Sequence, residues 1–133
     1  MATVLVVEDN PANMTLATFL LTSAGHTVLS AVDAEAGLTL ARAERPQLIL
    51  MDIQLPGMDG LQATALLKAD EATRDIAVFA LTALAMKGDE ERIRAAGCDG
   101  YIAKPIRYKE FLGSIKNALA PIQNGDAARV APS

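Results

Sequence analysis

Two spacings of apolar residues alternate along this chain. Short β-branched or aliphatic runs at 3–7 (TVLVV), 27–32, 48–51 (LILM), 76–81 (IAVFAL) and 100–103 read as strands. Longer amphipathic stretches follow each of them and read as helices. The first opens with Asn10 as N-cap and Pro11 at the first helical position, and Gly25 stops it. The second opens at Asp33 or Ala34 and ends before Pro46. The third runs over about 61–69, after a Pro/Gly loop at 55–60. The fourth runs over about 86–96 and is capped by Gly97; the fifth runs over about 107–120, with Phe111, Leu112, Ile115 and Leu119 on one stripe.

Five strand-then-helix units in succession predict an α/β domain: a parallel sheet with helices on both faces. Right-handed crossovers make a doubly wound, five-stranded parallel sheet the expected closure, with the flavodoxin-like strand order 2-1-3-4-5. The run at 48–51 is the most hydrophobic and is expected at the centre. One domain over 1–120 accounts for the pattern. Residues 121–133 (PIQNGDAARVAPS) are small and polar without periodicity, and read as a disordered tail or a linker.

Composition narrows the function classes. The chain has 133 residues, enough for one compact core, and 51% of them are hydrophobic but only 4% aromatic, so that core is aliphatic. A net charge of −4 argues against direct nucleic-acid binding. The single cysteine, Cys98, excludes an intramolecular disulfide. No apolar run reaches the ~20 residues of a membrane helix, and the first strand begins too early to leave room for a signal peptide. The expectation is a cytoplasmic protein without a membrane partner.

The candidate chemistry sits where the strands end. In an open parallel sheet the carboxyl ends of the strands lie along one edge, where ligands bind. That edge receives Glu8 and Asp9, Asp52, Thr82, and Lys104 followed by Pro105, with Gln54 just past the central aspartate. Taken singly, each has an ordinary reading: a capping acid, a turn aspartate, a strand-end threonine, a solvated lysine. Taken together they suit a carboxylate nucleophile, Asp52, that accepts a phosphoryl group. An anion approaching an anion needs charge neutralisation, which a Mg²⁺ held by the acids and the Lys104 ammonium would supply. The Thr82 hydroxyl would donate to a phosphoryl oxygen. Pro105 makes Lys104–Pro105 a candidate cis bond. Tyr101 is amphipathic enough to occupy two environments and is a candidate switch residue. His26, Cys98, the scattered methionines and the charged face from Lys87 to Arg94 carry ordinary readings, although such a face also suits docking.

The ordered set formed by Glu8-Asp9, LILMDIQLPGMDG around Asp52, ALTA at Thr82 and YIAKP at Lys104 resembles the receiver domains of bacterial two-component response regulators, over about residues 3–120. VVEDNPANM and TALAMKGDEERIRAAGCDGYIAKPI are similar to a narrower group of single-domain receivers. The resemblance implies that Asp52 is the phosphoacceptor for a sensor histidine kinase or histidine phosphotransfer protein. It implies that Glu8, Asp9, Asp52 and the backbone carbonyl of Gln54 hold Mg²⁺, and that Thr82 and Lys104 bind the phosphoryl oxygens. Thr82 and Tyr101 would then move together and reshape the face of the fourth helix, fifth strand and fifth helix for a downstream protein target. Gln54 and Leu84 would border the path of attacking water and tune hydrolysis. On this reading the chain is a phosphoacceptor signalling domain that promotes its own phosphorylation and dephosphorylation, not an enzyme. Two alternatives differ in class. A small-molecule phosphohydrolase on a similar sheet would need an acid two residues after the nucleophile, where Gln54 stands. A receiver belonging to a longer protein would use 121–133 as its linker.

Overall fold

The computed structural model describes residues 2–83 and 87–123. Five strands and five helices alternate in chain order: β1 (Thr3–Val7), α1 (Pro11–Ser23), β2 (Thr27–Ala31), α2 (Ala34–Glu44), β3 (Leu48–Asp52), α3 (Gly60–Ala69), β4 (Ala77–Thr82), α4 (Lys87–Ala95), β5 (Gly100–Ala103) and α5 (Tyr108–Gln123). All strand pairings are parallel, in the order β2-β1-β3-β4-β5. The order matches the pattern expected from the sequence, with β3 central and buried along its whole length.

Local signals fix the element ends. The Asn10 side chain accepts from the Asn13 N–H, and Asp33 does the same for Ala36, each satisfying an orphan donor of a first turn. Asp59 and Gln62 form a reciprocal capping box at the start of α3. Gly25 and Gly97 take positive φ after α1 and α4, where a side chain would be strained.

Some boundaries differ from expectation. β2 stops at Ala31, whose carbonyl accepts the Glu8 N–H, and Val32 is exposed before the α2 cap. α3 begins at Gly60 rather than 61, because the capping box closes over Asp59. α5 continues to Gln123, past the expected end at 120. Pro121 falls within its last turn. The rest of the expected tail, 124–133, and the expected helical position Met86 lie outside the described residues.

Strand alternation divides the core into two layers. On one face Leu5, Val7, Ile49, Met51, Val78 and Ala80 meet α2, α3 and Ile93 of α4. On the other, Val4, Val6, Leu48, Leu50 and Leu81 meet Ala17, Leu20 and Leu21 of α1 and Phe111, Ile115 and Leu119 of α5. With both faces covered, polar groups gather at the ends of the strands, and the carboxyl edge receives the candidate residues.

Candidate functional site

β1, β3, β4 and β5 deliver their last residues to that edge. Glu8 is 1% exposed, Asp52 3% and Thr82 1%, whereas Asp9 is open to solvent. One carboxylate oxygen from each of Glu8, Asp9 and Asp52 lies within 4.8 Å of the others. Lys104 arrives from beyond β5, after which the chain turns through a cis Lys104–Pro105 bond. Its Nζ stands 3.0 Å from Asp52 Oδ2, to which it donates a hydrogen bond, and 3.0 Å from Glu8 Oε1.

The backbone shapes the same cluster. The Gln54 N–H donates to Asp52 Oδ1 at 2.9 Å and fixes the carboxylate plane, while the Gln54 side chain is exposed. The Asn10 N–H donates to Glu8 Oε2 at 3.1 Å. Glu8 Oε1 is a buried oxygen with an ionic neighbour but no hydrogen bond. Burial pushes the Glu8 carboxyl above its usual range, and the adjoining Asp52 adds to the push. Burial works against the charged Lys104 ammonium, but the hydrogen bond to Asp52 and the ion pair with Glu8 outweigh it, so its pKa is raised.

Three carboxylates against one ammonium leave the site short of positive charge. Hard oxygen ligands, one of them buried and not hydrogen-bonded, suit a hard divalent cation such as Mg²⁺. The residues present therefore fit such an ion.

Thr82 ends β4 on the face that carries Val78 and Ala80, and Tyr101 packs on that same face from β5, with Ala80 as its register partner. The Tyr101 hydroxyl points to α4 and donates to Glu90 Oε2 at 2.9 Å. That hydrogen bond raises the phenol pKa. Two contributors escaped the sequence reading. Glu90 was one acid in a charged run, and only helical phase reveals that it faces Tyr101. Gly60 was a loop residue, and only the folded chain reveals that it lies against the Asp52 backbone. Leu84, read as bordering the water path, lies outside the described residues. Cys98 and His26 have surroundings that suit their ordinary readings. The Cys98 thiol is buried beside Thr64, and His26 Nδ1 accepts the Ala2 N–H at 3.2 Å.

Residues 4–116 match the model of the response regulator receiver domain. The polar-differentiation response regulator DivK of Brucella anthropi is 50% identical over 116 residues, covering 87% of this chain and 94% of that protein. A putative response regulator from Chloroflexus aurantiacus superposes with a TM-score of 0.85 at 28% identity, covering 90% of this chain and 98% of its own. The receiver domain of the sensor histidine kinase PA1611 from Pseudomonas aeruginosa has a TM-score of 0.82 at 36% identity, covering 89% of this chain and 97% of its own; its structure has a magnesium ion coordinated in the active-site cleft. No helix among the described residues is long and apolar enough to cross a membrane.

Proposed function

The chain belongs to the response regulator receiver domain family of two-component signalling, and on that premise we propose that Asp52 is its phosphoacceptor. The donor is a phosphohistidine on a sensor kinase or phosphotransfer protein. A carboxylate oxygen of Asp52 attacks phosphorus, a P–O bond forms, and the P–N bond to the departing imidazole breaks.

The observation that carries this reading is the position of Lys104. One ammonium stands 3.0 Å from both Asp52 and the buried Glu8. A lysine so placed neutralises the nucleophile at rest and is within reach of phosphoryl oxygens once they arrive. The Gln54 N–H orients the Asp52 carboxylate, and Gly60 leaves its backbone undisturbed. Glu8, Asp9, Asp52 and the Gln54 carbonyl hold Mg²⁺, which supplies charge neutralisation for the incoming anion. The Thr82 hydroxyl donates to a phosphoryl oxygen. Tyr101 shares its face of the sheet and follows Thr82 inward, which changes the α4-β5-α5 face offered to a protein target. The phosphoryl group selects between two packings by making different contacts in each.

Acetyl phosphate labelling tests the assignment. Wild type takes up one phosphoryl group only when Mg²⁺ is present, and Asp52→Asn takes up none. Equal labelling of wild type and variant overturns it.

A further inference from the structure

Among the described residues, α4 is held to the rest of the molecule by few side chains. It spans nine residues, Lys87–Ala95, and Ile93 is the one buried side chain among those described. Its other described side chains are charged or small, and one of its ion pairs, Arg92 with Asp89, stays within the helix. Against that background the hydrogen bond from the Tyr101 hydroxyl to Glu90 is the polar side-chain tie from α4 to β5 among the described residues. The Tyr101 ring packs on the core layer that includes Ile93, so both ties converge on one place. Arg94, one turn along from Glu90, is close enough for its charge to act on the phenol.

We propose that Glu90 is a positioning residue that holds Tyr101 in the outward, α4-bound orientation and thereby opposes the phosphorylated state. The proposal rests on the reading of Asp52 as phosphoacceptor and of Tyr101 as the residue that turns inward. The hydroxyl cannot donate to Glu90 and also turn in along the sheet toward Thr82. Every inward turn therefore breaks the bond and leaves Ile93 as the remaining described side-chain anchor of α4. Coupling of this kind is reciprocal: phosphorylation loosens α4, and loosening α4 favours phosphorylation. An exposed hydrogen bond to a charged acceptor is a modest restraint, so its removal shifts the balance by about two- to tenfold. Asp89 lies beside Glu90 in the chain but pairs with Arg92, and among the described residues it is Glu90 that accepts from the Tyr101 hydroxyl, so the effect is assigned to one acid of the run.

The test compares Glu90→Ala, Glu90→Gln, Glu91→Ala and Tyr101→Phe, in a Tyr108→Phe background so that one tyrosine remains to titrate wherever Tyr101 is kept. Three readouts are taken: the rate of Mg²⁺-dependent labelling by acetyl phosphate, ultraviolet titration of the Tyr101 phenol, and amide hydrogen exchange across α4. Glu90→Ala raises the labelling rate about two- to tenfold, lowers the pH at which Tyr101 ionises, and speeds exchange in α4. Glu90→Gln keeps an acceptor oxygen and recovers part of the wild-type rate, while Glu91→Ala changes neither rate nor titration. In Tyr101→Phe, adding Glu90→Ala has no further effect on the rate. An unchanged labelling rate in Glu90→Ala, with the Tyr101 titration shifted, overturns the proposal while leaving the phosphoacceptor reading intact. Failure of wild type itself to label overturns both.

Discussion

Gly60 sits with its α-carbon against the main chain of Asp52. A Cβ built on it would overlap the Asp52 carbonyl oxygen and come within 2.7 Å of Ile53 Cα and 2.8 Å of the Asp52 carbonyl carbon. These are backbone atoms at the end of the central strand, so nothing flexible can give way. The first residue of α3 is thus glycine for lack of space. The helix start presses directly on the residue that carries the proposed chemistry.

Gly60→Ala should therefore cost stability and displace the nucleophile together. Overpacking of this kind costs roughly 1–3 kcal/mol, visible as a lower urea midpoint with an unchanged slope. At temperatures where the variant is still folded, its acetyl phosphate labelling rate should fall well below that of wild type. The same substitution at Gly57, which has positive φ but open space around it, should cost stability through backbone strain alone and leave folded-state labelling close to wild type.

The contrast between Gly60 and Asp52 also marks what the sequence makes legible. Asp52, Lys104 and Glu8 could be placed together because each ends an apolar run, and parallel strands send their ends to one edge. The order of the sheet followed from the same alternation. Gly60 was invisible because its constraint comes from a chain segment several residues away that folds back on it. Glu90 was invisible because three acids stand in a row at 89–91, and which of them meets Tyr101 depends on where the helix begins. Fractions of a helical turn decide such contacts, and composition does not record them.

The buried acid Glu8 predicts how the site responds to pH. Its folded pKa is raised above the ordinary 4.5, chiefly by burial, so the folded state holds the proton more tightly than the unfolded chain does. The stability this contributes is full below pH 4.5 and is lost as pH rises through the folded value. Lys104 is also raised, so its share is present below 10.5 and is lost only in strongly alkaline solution. Without divalent cations, Glu8→Gln should be more stable than wild type at pH 7, and its stability should vary less between pH 4.5 and neutrality. Mg²⁺ should stabilise wild type at pH 7 and do so far less in Glu8→Gln, as followed by thermal melts over a Mg²⁺ series. Equal stabilisation of the two proteins would remove Glu8 from the ligand set.

His26 offers a second pH signal, at the other end of the sheet. Its Nδ1 accepts the Ala2 N–H, so the ring must be unprotonated there for the bond to exist. Its pKa is lowered from 6.5, first by burial. A base with a depressed pKa contributes stability above its unfolded value that is lost as pH falls through the folded one. Stability should therefore decline below pH 6.5, and His26→Gln should flatten that part of the profile. His26 is the only histidine in the chain, so its ring signal in NMR titrates without overlap and should give a midpoint below 6.5. A midpoint above 6.5 would contradict the contact.

Lys68 separates scaffold from chemistry. Its ammonium, on α3, donates to the carbonyls of Arg74 and Ile76 at 3.3 and 2.7 Å and to Asp99 Oδ2 at 3.0 Å. Asp99 in turn accepts the Val78 N–H at 2.9 Å. These groups gather at the start of β4 and β5, at the edge opposite Asp52. Gly97 leaves the room that the lysine stem occupies, since a Cβ there would stand 2.8 Å from Lys68 Cγ. Lys68→Met keeps the apolar stem and removes the donors, leaving the Ile76 carbonyl without this partner. The loss should be about 1–2 kcal/mol, read as a lower denaturation midpoint. The acetyl phosphate labelling rate of the folded variant should stay at the wild-type value, because no group of the acid cluster touches this tether. A fall in labelling matching the fall seen in Gly60→Ala would mean that the two edges of the sheet are coupled, and that α3 transmits strain along its length.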